Sequence, residues 1–405
     1  MPFRWFGLLS LLSFLIVSSL GLLMRAKMVF EMPFLVQKHL QLAHAFFAFN
    51  GWVSFTLLWL LADRLVQLGS TKGLLLQRMI GLQWLLSWAL FGVYLAFGMG
   101  YWSFVTETTL LLWLITLVVV FVREIRRLPA TTAMRHWLYP ALAFLILSGS
   151  GTLLLFWHYM HRSLNMTNYL GSFYSYLHFQ YNGWFLFGAL ALLQQFVPDE
   201  AGLRLRGRRL AWLAVPGVLL SLLWIEMPPF FYGFAIAVAV LQLYFWADWL
   251  RLAWPALRIE LHQMAQPIRM LLPLAGAAVS ARMLFQLLST IPALEKAAFS
   301  FRPVVIAYLH LVLLGIFSSF LLYWLFRSEK LQLNHTSKLA AGLYLFAFLG
   351  TESILAIMGG ASFSYTQIPY ANEVLLAISV LFPVSIGLIC WAAWPRKQLH
   401  RAEHS

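Results

Sequence analysis

Three histidines stand in closely similar surroundings: His44 in "HAFFAFNGW", His178 in "YLHFQYNGW" and His310 in "YLHLVLLGIF". Imidazole is a natural ligand of haem iron, copper and zinc. A histidine inside a membrane is costly unless it faces an interior or a cavity. The repeated setting points to haem or metal binding by His44, His178 and His310; a hydrogen bond between neighbouring helices is the plainer use of each. Aligned on Gly51, Gly183 and Gly315, the copies place Trp52 over Trp184 and His178 over His310, each histidine five residues before its glycine. His44 lies seven before its glycine, and Phe46 takes the aligned place. Two residues turn a side chain by about 200° around a helix. Either that helix is rotated or shifted, or His44 meets its ligand on another side. The glycines serve close helix approach or clearance for a flat ligand.

A second group consists of His158 and His161. Their spacing puts both on one face if the helix runs that far, and they read as partners of the first group, a further metal site or a hydrated helix end. Glu352, in "FLGTESILAIMGG", is the most deeply placed acid among Glu31, Glu107, Glu226, Glu352 and Glu373. It can relay protons, hold the second nitrogen of a histidine or make a structural hydrogen bond. Asn50 and Asn182 are expected to tie neighbouring helices. His136, His262, His335, His400 and His404 fall in polar connections or the tail.

The elements that position these residues are membrane helices. Of 405 residues, 61% are apolar and only 10% charged, too little charge to cover a soluble protein of this length. Apolar stretches lie near 7–25, 40–62, 80–98, 108–122, 137–158, 174–194, 210–226, 229–247, 268–288, 303–326, 338–359 and 373–394. Each is near the roughly 20 residues that cross a bilayer, and all are too long and too uniformly apolar for barrel strands. The reading is all-α, a polytopic membrane protein of twelve transmembrane helices in a single integral membrane domain. "MPFRWFGLLSLLSFLIVSSLGLLM" reads as the first retained span, not a cleaved leader. "EMPPF" is a tight turn between spans 7 and 8, and the longest polar connection is 248–267.

The net charge of +14 is explained by placement, not by nucleic acid. The N-terminus, the even-numbered connections and the C-terminus, from Arg4 to Arg396, Lys397 and Arg401, hold 21 of the 28 lysines and arginines. That bias predicts both termini on the cytoplasmic side of a cell inner membrane, with "RLRGRR" as a headgroup anchor. One cysteine excludes an internal disulfide and any cysteine-cluster metal site. His44, His178 and His310 fall in spans 2, 6 and 10, four to seven residues past the outer starts, which is a common depth of about 6–11 Å.

Twelve helices, cytoplasmic termini and outer-side histidines in spans 2, 6 and 10 resemble subunit I of the heme-copper oxidase superfamily. The resemblance implies a pseudo-threefold bundle of three four-helix arcs, approximately 1–135, 136–267 and 268–405. It gives His44 and His310 the role of low-spin haem ligands and His178 the place of a copper ligand. The chain departs from that family in three ways. Span 7, "LAWLAVPGVLLSLLWIEM", has no histidine; span 10 has His310 alone; and span 6 lacks the His-Pro-Glu sequence. A complete binuclear centre is therefore not expected. The chain looks closer to oxidase-like membrane proteins without that centre, including the NnrS family linked to nitric-oxide stress and uncharacterised bacterial relatives.

The expected function is a membrane protein binding b-type haem or copper. Its role would be sensing, detoxification or electron transfer involving nitric oxide or oxygen, with the lipid bilayer and a respiratory-chain or small-gas ligand as partners. Whether it is an enzyme stays open. The other readings are a metal-free assembly or structural partner of a respiratory complex and a small-solute transporter. Against the transporter, the visible repeat divides the chain into thirds and shows no inverted halves.

Overall fold

Hydrocarbon offers no hydrogen-bond partner, so apolar runs of this length pair their own backbone groups as helix. The computed structural model describes residues 5–129, 131–162 and 165–393, and the regular structure in them is entirely helical. In chain order the long helices are α1 (Phe6–Val29), α2 (Gln37–Gln67), α3 (Gly73–Phe97), α4 (Tyr101–Arg127), α5 (Arg135–Met160), α6 (166–196), α7 (201–221), α8 (Pro229–His262), α9 (Ile268–Leu288), α10 (Arg302–Arg327), α11 (His335–Ser362) and α12 (Ala371–Ala393). Among the described residues ten of these, all but α6 and α7, are long and apolar enough to cross a membrane. In α6 the apolar run is diluted by Tyr, Asn, Gln and Ser; in α7 the α-helix opens on the basic "RLRGRR" and covers only the 14 residues Ala201–Ala214 before a 3₁₀ segment at Pro216–Ser221. The chain is an all-α polytopic membrane protein.

Two boundaries differ from the sequence reading in ways that matter. The stretch 248–267, expected as a polar connection, is helical through His262, and buried residues on it include Trp249, Leu257 and Glu260. One buried face thus carries the helix on past the apolar run. At about 1.5 Å per residue α8 is about 51 Å long, well over the roughly 30 Å of hydrocarbon. α6 starts at Met166, eight residues before the expected 174, capped by the Asn165 side chain on the Asn168 amide at 3.1 Å. Counted from their helix starts, His44 and His310 lie seven and eight residues in, but His178 lies twelve in. The expected four to seven residues from the helix start hold for His44, are passed by one at His310 and by five at His178, where α6 carries an added N-terminal stretch.

The core runs along α2, α6 and α10. These three helices are buried on nearly all sides through Phe46–Ala62, Tyr176–Gln194 and Gly315–Phe326, while the helices around them turn one face outward. Each of the three carries a π-helical segment: Ala48–Ser54, His178–Phe185 and Leu311–Ser318. Such widened turns are rare and recur at functional sites. Gly51, Gly183 and Gly315 all fall inside them. A Cβ on each would stand 2.3 Å from Phe47, 2.5 Å from Phe144 and 2.7 Å from Phe348, respectively, so the glycines serve close aromatic packing. The Trp184 indole donates to Ser54 Oγ at 3.0 Å and the Trp52 indole to Ser318 Oγ at 2.9 Å, tying α6 to α2 and α2 to α10. Phe185 packs on Phe49 and Phe317 at centroid distances of 5.6 and 5.1 Å.

Ion pairs gather the C-terminal ends of α2, α4, α8 and α10. Asp63 pairs with Lys330 at 2.8 Å, Arg327 with Glu260, Arg127 with Glu124 at 2.5 Å, and Ser70 donates to Glu124 at 2.7 Å. Asp248 on α8 accepts from Arg206 of α7 and from Arg251. This is the basic end that the charge bias picks out. Arg4, Arg396, Lys397, Arg401, His400 and His404 lie outside the described residues.

Candidate cofactor site

The two-residue displacement of His44 sets its direction. The residues five before each glycine face the next helix in the chain: Phe46 stacks on Tyr94 of α3 at 4.8 Å, His178 bonds α7, and His310 faces Glu352 of α11. His44, offset by about 200°, points the other way, to α1. Its Nδ1 lies 3.1 Å from the Val17 carbonyl. Gly21, one turn further along α1, leaves space for the ring; a Cβ there would stand 3.3 Å from His44 Cε1.

His310 Nδ1 lies 3.9 Å from Glu352 Oε1, too long for a hydrogen bond, and neither buried atom has another partner among the described residues. The side chains remain partly open, 29% for His310 and 19% for Glu352. His310 also lies within electrostatic range of His44 and of Arg25 on α1, and Arg25 within range of Arg302 at the start of α10. Among the described residues no ion pair neutralises either arginine. Four helices, α1, α2, α10 and α11, thus gather two imidazoles, two guanidinium groups and one carboxyl. Both histidines turn Nδ1 toward an oxygen, and no hydrogen bond among the described residues reaches Nε2 of either ring.

His178 is built differently. It is 1% exposed; Nε2 donates to the Ala214 carbonyl at 2.8 Å, and Nδ1 accepts from Asn182 Nδ2 at 2.9 Å with Ser221 Oγ at 3.3 Å. α7 changes from α to 3₁₀ geometry at Pro216, and His178 binds the carbonyl at that junction. Both ring nitrogens are occupied, on the side of α6 facing α7. The structure brings His44 and His310 together and leaves His178 apart. Among the described residues no three His, Cys, Asp or Glu side chains converge as a metal-ion site.

The secondary candidates also separate. α5 ends at Met160 and His161 caps it, its amide bonded to the Trp157 carbonyl at 3.0 Å, so the two histidines lie one turn apart but in different surroundings. His161 is exposed, stacks on Trp157 at 4.4 Å and has Nδ1 2.9 Å from the Trp157 carbonyl. His158 is buried, its ring set against Trp157 at 5.1 Å. Glu352, by contrast, belongs to the histidine pair. Asn182 bonds back within its own helix, to His178. Asn50 bonds the Phe46 carbonyl of its own helix and also ties α2 to its neighbours: its side chain hydrogen-bonds Tyr176 of α6, and its backbone carbonyl accepts from Gln83 of α3 at 2.9 Å.

Sequence reasoning missed Arg25 and Arg302 as members of the site. The available signal was that both fall outside the basic end, with Arg25 set in the first apolar run. It also passed over the surroundings of Glu107, which is buried, accepts from Tyr94 and borders a cavity of about 40 Å³ with Asn50, Ser148, Thr152, Tyr176 and Gln180. That is room for a water molecule. No known family model matches the chain, and no curated protein matches it in sequence.

Proposed function

We propose that the chain is an inner-membrane electron-transfer protein that holds one b-type haem between His44 and His310. The observation that carries this reading is the disposition of the two rings, each with Nδ1 turned to an oxygen and Nε2 unbonded. Metal-bound histidines fix tautomer and orientation through a hydrogen bond from the second ring nitrogen; His44 has one to Val17 at 3.1 Å, and His310 faces Glu352 at 3.9 Å without one. A planar tetrapyrrole supplies four ligands of its own, so two imidazoles suffice. A bare copper or zinc ion calls on three or four protein donors, which the described residues do not bring together. Bound here, the haem supplies one-electron exchange.

The remaining work falls to the protein. The Val17 carbonyl holds the His44 ring, Glu352 faces Nδ1 of His310, and Arg25 and Arg302 offer positive charge to the haem carboxylates. Held by both His44 and His310, a haem would be suited to electron transfer rather than to gas binding. His178 serves as a tie between α6 and α7 in this reading. Twelve spans, termini on the cytoplasmic side and three arcs in an oxidase-like arrangement complete the proposal. It is supported by the common glycine register of α2, α6 and α10 and by the basic residues at one end. The respiratory chain is the natural electron partner for such a site.

The test is the absorption spectrum of protein purified from a haem-sufficient host. A Soret band with reduced α and β peaks is expected, lost in His44→Ala and in His310→Ala and retained in His178→Ala. Protein without iron or copper, co-purifying with other respiratory subunits, would support the metal-free assembly role instead. A Soret band that survives both substitutions removes the proposed ligands.

A further inference from the structure

Arg282 is a charge without a counter-ion. It lies on α9 six residues before Leu288, about 9 Å in from the helix end away from the basic side. The side chain is 3% exposed, and a guanidinium stays charged in proteins. No ion pair reaches it among the described residues. The ionisable groups in its electrostatic range are Tyr181 and His178 of α6 and Tyr308 of α10, none of them an acid. Nε is sealed without a partner; the two terminal nitrogens, equally without a hydrogen bond among the described residues, are not sealed. One turn on, Gln286 is 7% exposed and its Oε1 also goes unpaired. A buried charge is costly unless it is paired, and within a membrane span it marks a binding site or an ion path.

The facing helices add donors and space. The Tyr181 and Tyr308 hydroxyls hydrogen-bond each other, with ring centroids 6.3 Å apart. Two phenols that share one hydrogen bond leave one O–H free. Tyr308 stands where α10 is open: no residue from Arg302 to His310 is buried, although the same helix is enclosed from Gly315 onward. Accessible space therefore surrounds this half of α10. One turn below Arg282 the space closes, since a Cβ on Gly315 would stand 3.3 Å from Ala278. Two turns above Tyr181, Tyr174 packs on Trp224 and Phe299 at centroid distances of 5.8 and 5.6 Å. That aromatic cover favours a small solute over a ligand with a large body.

We propose that Arg282 and the tyrosine pair bind a small monovalent anion, a halide by chemical class, drawn from the water on the side away from the basic end. The guanidinium supplies the charge; the free phenol O–H and the Gln286 amide supply further donors. The competing account needs no ligand: one of the two phenols ionises and neutralises Arg282 itself. The site is independent of the histidine pair. Tyr308 precedes His310 by two residues, so the two side chains leave α10 about 200° apart.

The experiment uses the full chain in lipid nanodiscs at constant ionic strength, with gluconate exchanged for chloride. Saturable binding of radioactive chloride is expected, with a rise in unfolding temperature over the same concentration range. Arg282→Met keeps the bulk and removes the charge; chloride binding and the dependence of unfolding on chloride should both be lost. Tyr181→Phe combined with Tyr308→Phe retains the guanidinium and should weaken binding about tenfold, the factor that corresponds to about 1.4 kcal/mol. Wild-type protein that binds no chloride overturns the proposal, and so does unchanged affinity in the double phenylalanine variant. Chloride-dependent stability that persists in Arg282→Met is a general salt effect and overturns it as well. A tyrosinate absorption band in chloride-free buffer, lost in Tyr181→Phe or in Tyr308→Phe, assigns the neutralising charge to the protein and also overturns it.

Discussion

Replacing His178 by alanine separates a structural histidine from a ligand. The ring makes contacts at 2.8, 2.9 and 3.3 Å with Ala214, Asn182 and Ser221 and is almost wholly buried. Individual hydrogen bonds inside membrane proteins are worth about 0.6 kcal/mol on average and up to about 1.7. Three contacts therefore place the loss at about 2–5 kcal/mol, before any cost of the vacated volume. The Asn182 amide loses its acceptor, and the Ala214 carbonyl loses its donor at the 3₁₀ junction. The measurement is equilibrium unfolding of the purified protein in mixed micelles, with the visible spectrum of the same sample recorded before unfolding. The expected outcome is a clear loss of stability, with the Soret band of the proposed haem unchanged per folded molecule. Wild-type stability together with a lost or altered spectrum would refute the assignment and return His178 to the ligand set.

Ser54→Ala removes the acceptor of the Trp184 indole and should destabilise by about 1–2 kcal/mol, measured in the same unfolding assay; a cycle with Trp184→Phe should show coupling between the two. Gly183→Ala puts a Cβ 2.5 Å from Phe144 and should cost about 1–3 kcal/mol from overpacking, with Phe144→Ala restoring part of it. Arg327→Ala leaves Glu260, only 5% exposed, without its cation. Partial exposure of Arg327 lowers the cost below that of a fully buried pair, to about 1–3 kcal/mol, and adding Glu260→Gln should recover stability. Single cysteines placed at Asp199 and Glu226, with Cys390 removed, test the span count. Twelve spans put the two positions on opposite sides of the membrane, and labelling of both from one side excludes that count.

Much of the architecture was legible because a membrane leaves the backbone few choices. Length and apolar content alone located the helices, and the glycine register marked the repeated segments in α2, α6 and α10, which the structure shows to be the core. What stayed hidden depended on side-chain direction and on where helices end. Eight residues from Met166 to Phe173 belong to α6 although a run of apolar residues does not begin there, and that put His178 twelve residues past its helix start. The region after Trp246 looked polar by average composition, yet one buried stripe keeps α8 helical through His262. The displacement of His44 was visible in the spacing, but its meaning required knowing that α1 lies on that side. Arg25 illustrates the same limit: its charge was readable in the first span, its nearness to His310 was not.

The π-helical turns divide each central helix into two storeys. On α2 and α10 the candidate ligands His44 and His310 stand above the widened turn, and the hydroxyls of Ser54 and Ser318 that lock the core lie at its lower edge. A widened turn can take up a change of azimuth above it without passing that rotation on below. The ligand-bearing storey can therefore be retuned, residue by residue, over a foundation whose register is already fixed.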